Sequence, residues 1–99
     1  MKKSLHYTTE RRFRERRIKE IGEGAIYAEF IVDNGHKNGA ERHIITTNGI
    51  IIIYNVKTNR LITKLIARPG QIKKYYPDGN YPQEIISIAL EHAKMKINY

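Results

Sequence analysis

The sequence predicts an α+β domain with N-terminal helices, a three- or four-stranded antiparallel β-meander and a C-terminal helix. Three observations lead there. Glu41–Thr46, Ile50–Asn55 and Leu61–Arg68 are runs rich in β-branched residues. Asn48-Gly49 separates the first two and is a strong hairpin signal. On both sides of this block the pattern turns helical, with dense charge before it and apolar residues at helical spacing after it.

The first element runs from Thr9 to Ile21. Glu10 with Arg14 and Glu15 with Lys19 stand in the favourable acidic-first i,i+4 order, and Thr8 or Thr9 is placed to cap the helix. Phe13, Ile18 and Ile21 are its anchors, so it lies on the surface with a wide solvated face. Its arginines are read first as solvated helix formers, with a phosphate-contacting surface as the alternative. Gly22 and Gly24 interrupt the pattern. From Glu23 to Val32, alternation at Ile26, Ala28, Phe30 and Val32 fits a strand as well as a short helix. The helix is favoured by the acidic start, by Ala28 and Glu29, and by the exit Asp33-Asn34-Gly35.

His36–Gly39 reads as a turn, and the three strands follow. Lys57, Thr58, Asn59 and Arg60 supply the second, less diagnostic turn of the meander. Pro69-Gly70 closes it, Gln71–Tyr76 makes a helical turn, and Pro77–Asn80 is loop chemistry. Pro82 stands near the start of the last helix, whose apolar face is Ile86, Ala89, Leu90, Ala93 and Ile97, packed on the sheet.

With 99 residues the chain forms one domain, residues 1–99, with a single modest core. The lack of cysteine excludes disulfides and thiolate metal sites. No apolar run approaches the roughly 18 residues of a membrane span. The basic start lacks the apolar stretch of a signal peptide, since His6–Glu10 follow, and a cytoplasmic protein is the simpler reading. Metal binding is not expected: the four histidines are scattered, and no HExxH or EF-hand pattern occurs. No cofactor-binding loop is present either.

The net charge is +8, from 18 Lys and Arg against 10 Asp and Glu. Such an excess favours polyanionic partners, RNA foremost, and an acidic inhibitor protein is a second kind of partner it suits. Oligomeric state is not legible. Tyr75, Tyr76 and Tyr81 interleave with Lys73 and Lys74, either to stack bases and contact phosphate or as core and interface residues.

Register decides which strand residues share a face. A two-residue Asn48-Gly49 turn pairs Thr47 with Ile50 and sets His43 opposite Tyr54. Glu41, His43, Ile45, Ile52 and Tyr54 then share one face, and Arg42, Ile44, Ile51 and Ile53 form the core face. For the second hairpin, a three-residue loop puts Lys64 and Arg68 with His43, whereas a two-residue loop puts Thr63 there instead. Both registers are open, and a bulge relaxes the choice.

From the first helix through GAERHIITTNGIIIIYN and LITKLIARPGQIKKYY, residues 8–76, the chain resembles small phage and bacterial proteins of the barnase, EndoU, colicin and RelE type, the BECR fold. The likeness lies in the general layout and in an E-x-H then I-T-x-x-x-x-R pattern, here Glu41-Arg42-His43 and Ile62 to Arg68. The resemblance implies a metal-independent ribonuclease of toxin type that cleaves by transesterification. His43 would then transfer protons, with Glu41 as second acid–base group or orienter. Lys64 and Arg68 would stabilise the phosphate in the transition state, and Thr63 or Tyr54 would hydrogen-bond to it. Arg42, Tyr54, Lys73 and Lys74 are the substrate-binding candidates. The other class is a noncatalytic RNA-binding or protein-interaction module on the same scaffold.

Overall fold

The computed structural model describes residues 2–33 and 39–97, with side chains at 11–33 and 39–94. The elements are α1 (Lys2–Ile21), β1 (Ile26–Val32), β2 (Glu41–Thr46), β3 (Ile50–Asn55), β4 (Leu61–Ile66), α2 (Pro69–Lys73) and α3 (Gln83–Ile97). The strands form one antiparallel sheet in the order β1-β2-β3-β4. The α+β class and the meander are as the sequence predicts. The expected turn beginning at His36 falls on residues 36–38, outside the described residues, and the side chain of His6 lies outside them as well.

Helices cover both faces of the sheet. On one face Ile45, Ile51 and Ala67 pack with Ile72 of α2 and with Ile85 and Ala89 of α3. On the other, Ile44, Ile50 and Ile52 pack with Ile18 of α1. This double burial is why β3 is four consecutive isoleucines rather than an alternating strand. It also corrects the expectation of a single core face.

Residues 26–32 form a strand, not the helix favoured from sequence. Their alternation exists to seat Ala28 and Phe30 beside Ile45 and His43 of β2, and a bulge at Tyr27 interrupts the pairing. α1 begins at Lys2, so Thr8 and Thr9 are interior positions rather than caps. Of its expected anchors, Ile18 is buried while Phe13 is 55% exposed. In α3 the buried positions are Ile85 and Ala89, and Leu90 faces solvent. At the sheet edges Ile26 and Ile31 of β1 and Leu61 and Ile62 of β4 are exposed.

The β2–β3 connection sets the register. Thr46, not Thr47, is the last position of β2, and Ile45 pairs with Ile51, His43 with Ile53 and Arg42 with Tyr54. Thr47, Asn48 and Gly49 therefore make a three-residue loop, with Gly49 in the left-handed region at φ 76°. The Thr46 hydroxyl stabilises it by accepting from the backbone N–H groups of Asn48 (3.3 Å) and Ile50 (3.1 Å). This one-residue difference from the two-residue turn moves the whole β3 side-chain set to the opposite face, and His43 does not lie opposite Tyr54.

The β3–β4 connection is longer than either loop considered above: Asn55 N–H donates to the Arg60 carbonyl across Val56–Asn59. A bulge at Ile62 then follows, with Tyr54 paired to Leu61 but Ile53 to Thr63. Thr63 thereby shares the His43 face and Lys64 the Tyr54 face.

The Thr46–Ile50 turn also ties the layers together. Asn48 Nδ2 donates to the carbonyl of Gly22 at 2.9 Å, at the C-terminal end of α1. Thr47 and Ala25 exchange two hydrogen bonds, and Ala67 N–H donates to the Gly49 carbonyl. His92 of α3 reaches the Asn48 carbonyl through Nε2 at 2.9 Å. At Gly49 a Cβ would meet Ile88 Cγ2 at 3.3 Å.

Gly49→Ala is expected to destabilise by about 1–2 kcal/mol from the left-handed backbone alone, and Asn48→Ala by about 1 kcal/mol through its lost hydrogen bond. Urea unfolding should show both as a lower midpoint with an unchanged m-value. A Gly49→Ala chain as stable as wild type would show that the turn is not constrained as described.

Candidate functional site

Two groups of polar side chains stand out, one on each side of β4. The first is built on β2. Glu41 and His43 are two positions apart in a strand and so project from one face. That is the face covered by α2 and α3, and the residues after α2 bring Tyr75 onto it. His43 Nδ1 lies 2.5 Å from the Tyr75 hydroxyl and Nε2 lies 2.9 Å from Glu41 Oε1. A neutral imidazole satisfies both contacts, Tyr75 O–H donating to Nδ1 and Nε2–H donating to the carboxylate.

The environment of this chain favours a protonated phenol. Burial first, and then the nearby Glu41 charge, push the Tyr75 hydroxyl above its usual range. Phe30 of β1 stacks on Tyr75 with ring centroids 5.0 Å apart, and the Tyr76 ring meets Phe30 edge-on. His43 itself is only 9% exposed. The chain can hold an imidazole in one tautomer and orientation, which is what a general base requires, but both ring nitrogens are occupied within the fold.

The other sequence-predicted residues divide. Thr63 is on the His43 face but separated from it by Ile53, about 10 Å away at two strand spacings. Lys64 is on the opposite face and is ion-paired with Glu23. Arg42 and Tyr54 are cross-strand partners on that opposite face. Arg68 lies beyond the end of β4, about 17 Å along the chain direction from Thr63 by strand rise. Its backbone N–H donates to Gln71 Oε1 at 2.8 Å at the start of α2. Lys73 Nζ sits over the Tyr81 ring at 5.3 Å, and Lys74 is exposed. The structure thus joins Glu41 to His43 and separates both from Arg42, Lys64 and Arg68.

The second group surrounds a cavity of about 430 Å³ that straddles the β4 edge. α1 contributes Phe13, Arg14 and Arg17, the β4–α2 junction contributes Arg68, and α3 contributes His92. Leu65, Ile66 and Ala67 make an apolar floor. Arg14 Nε and His92 Nδ1 are both sealed from solvent and have no hydrogen-bonding partner. His92 Nε2–H donates to the Asn48 carbonyl, which orients the ring and leaves Nδ1 without a partner.

The sequence offers a phosphate-contacting surface only as the alternative reading of the α1 arginines, here Arg14 and Arg17, and places His92 at no site. The i,i+3 spacing of the two arginines beside Phe13 was the available signal. Their convergence with Arg68 and His92 depends on how α1 crosses the sheet, which no local pattern encodes. His92 ties α3 to the central turn.

Among the described residues, no group of three or more His, Asp or Glu side chains is placed to hold a metal ion. No described helix is long and apolar enough to cross a membrane. No protein-family model matches the chain, and comparison with curated proteins and with solved structures gave no match.

Tyr75→Phe leaves the buried His43 Nδ1 without its hydroxyl donor and is expected to cost about 1–3 kcal/mol. The raised Tyr75 pKa has a sign. The folded state holds this proton more tightly than the unfolded chain, so its contribution is complete below pH 10.0 and is lost as pH rises through the folded value. Thermal unfolding should therefore show a falling midpoint above about pH 10. The fall should be smaller in Tyr75→Phe, the remainder coming from Tyr76, which burial shifts in the same direction, and from Tyr27, which a hydrogen bond to Glu84 raises. An identical alkaline profile in the variant would refute the linkage.

Proposed function

We propose that this chain is a noncatalytic RNA-binding module that contacts phosphate through the arginine-rich side of α1 and the end of β4. The observation that carries this reading is the convergence of Arg14, Arg17 and Arg68, from two separate parts of the chain, on one cavity beside the exposed Phe13 ring. Guanidinium groups fork onto phosphate oxygens and an exposed aromatic face stacks a base. The net charge of +8 adds long-range attraction. Lys73, its Nζ over the Tyr81 ring, and Lys74 are further exposed cations. An RNA partner and a chain without cysteine suit a reducing, cytoplasmic setting.

The competing reading, a metal-independent ribonuclease centred on His43, is supported by the Glu41–His43 contact. It is weakened because transition-state stabilisation needs cations aimed at the reacting phosphate. Arg42 and Lys64 belong to the opposite face of the sheet, and Arg68 belongs to the other end of β4. The Thr63 hydroxyl is two strands from the imidazole.

Fluorescence anisotropy with a labelled single-stranded RNA in EDTA tests the proposal. The RNA should be bound and remain intact, with log Kd rising linearly against log salt concentration. Removing two phosphate contacts in Arg14→Ala/Arg17→Ala should lower that slope by about 1.4, at roughly 0.7 per contact for single strands. His43→Ala, checked for folding by circular dichroism, should bind as wild type does. Cleavage in EDTA that disappears in His43→Ala would replace this reading with the ribonuclease.

A further inference from the structure

We infer that Asn48 is a site of spontaneous deamidation that α1 keeps closed, so that loss of its side-chain amide is the one-way consequence of that helix leaving the sheet.

The chemistry belongs to the local sequence. Asn-Gly pairs stand at Asn34-Gly35, Asn38-Gly39 and Asn48-Gly49. In such a pair the glycine nitrogen, unhindered by a side chain on its own residue, attacks the Asn Cγ. A C–N bond forms there, the Cγ–Nδ2 bond breaks, and the amide leaves as ammonia with the proton of the glycine N–H. Water then opens the cyclic imide at either carbonyl, giving aspartate or isoaspartate. Water is the only co-reactant.

At Asn48 the fold holds both reacting groups away from this path. The Gly49 N–H donates to the Thr46 carbonyl at 3.0 Å. The Asn48 amide is anchored on α1, Nδ2 donating to the Gly22 carbonyl at 2.9 Å and to the Ile21 carbonyl at 3.4 Å. Space to rearrange is small: Gly49 is buried, and even a Cβ on Gly24 would come within 2.9 Å of Asn48 Cγ. An aligned attack therefore requires these bonds to break first. The contacts on the amide come from the end of α1 and the glycines after it, so release of α1 frees it. α1 is held on the sheet by Ile18 and Ile21, and an element with so little buried apolar surface opens before the whole fold does.

The product cannot restore the contact. A carboxylate has no N–H to donate, and at this position it would face two carbonyl oxygens at the negative end of the α1 dipole. Isoaspartate also adds a methylene to the backbone of the loop that fixes the β2–β3 register. With the helix go its arginines, so deamidation also lowers RNA affinity; that consequence alone rests on the RNA-binding reading.

The test follows each Asn-Gly pair of the full chain by peptide mapping and mass spectrometry in mildly alkaline buffer. Asn48 should deamidate at least about tenfold more slowly in the folded chain than in the urea-unfolded chain, because the closed turn must open first. Ile18→Ala, which loosens α1, should raise the Asn48 rate about tenfold above that of Ile72→Ala, which removes a buried isoleucine from the opposite face. Should either variant fail to fold, wild type in graded urea gives the same information: the Asn48 rate should climb below the global unfolding midpoint. Chain deamidated at Asn48, prepared from Asn34→Ser/Asn38→Ser and separated by its lower charge on cation exchange, should show faster amide hydrogen exchange along α1 while the sheet stays protected. A folded-state rate equal to that in urea, or one that rises only with global unfolding, overturns the gate. Undiminished protection of α1 in the deamidated chain overturns its one-way character. A released α1 with unchanged RNA affinity leaves the gate standing and overturns the RNA-binding reading.

Discussion

The turn from Thr46 to Ile50 is the constraint on which the other elements depend. Its residues bond to the end of α1, the approach to β1, the exit from β4 and the middle of α3. Each of those partners is distant in sequence, so the turn substitutes for the extensive helix packing that a chain this small lacks. α1 illustrates the need. It is almost uniformly polar, and apart from Ile18 and Ile21 little of it is apolar enough to hold it on the sheet. Asn48, bonded to the carbonyls at its C-terminal end, fixes where the helix leaves the sheet and therefore where its arginines lie.

Covering the sheet on both faces separates the two polar groups. Glu41, His43 and Tyr75 belong to the layer of α2 and α3, enclosed by Phe30 and the neighbouring rings. Arg14 and Arg17 approach from the α1 layer, and only at the β4 edge do residues from the two layers meet. The chemistry legible in the strands is consequently a buried, internally satisfied chain. The chemistry open to a ligand lies where helices and sheet edge come together.

The sequence was informative where a local rule applies. β-Branched composition located three strands, and helical spacing located α3. Residues 26–32 were misread because Ile26, Ala28, Phe30 and Val32 carry a period of two inside a short segment with good helix formers, and only pairing with β2 decides between the alternatives. Register was illegible for a different reason. Hydrophobic alternation normally fixes the phase of a strand, but Ile50–Ile53 are all apolar and show no phase at all. The side chain of Thr46 and the left-handed Gly49 decide it instead. At the site, Glu41 and His43 could be associated because they are local in one strand. Tyr75, 32 residues from His43, could not. The Arg14–Arg68–His92 cavity was equally out of reach, because α1 gives almost no periodic signal of which side it turns inward.

The β1 edge bears on how the molecule behaves in bulk solution. Ile26 and Ile31 are uncovered there, beside backbone groups that no further strand among the described residues engages. Such an edge is a template for pairing with another copy. What opposes it is mutual repulsion between molecules of charge +8. That repulsion reaches only about 10 Å at 0.1 M salt and shortens as salt is added. A bound polyanion weakens it more directly, by cancelling the charge. Colloidal stability in this protein is therefore tied to its state of charge, and the fully neutralised complex is the form in which exposed apolar edges are freest to meet.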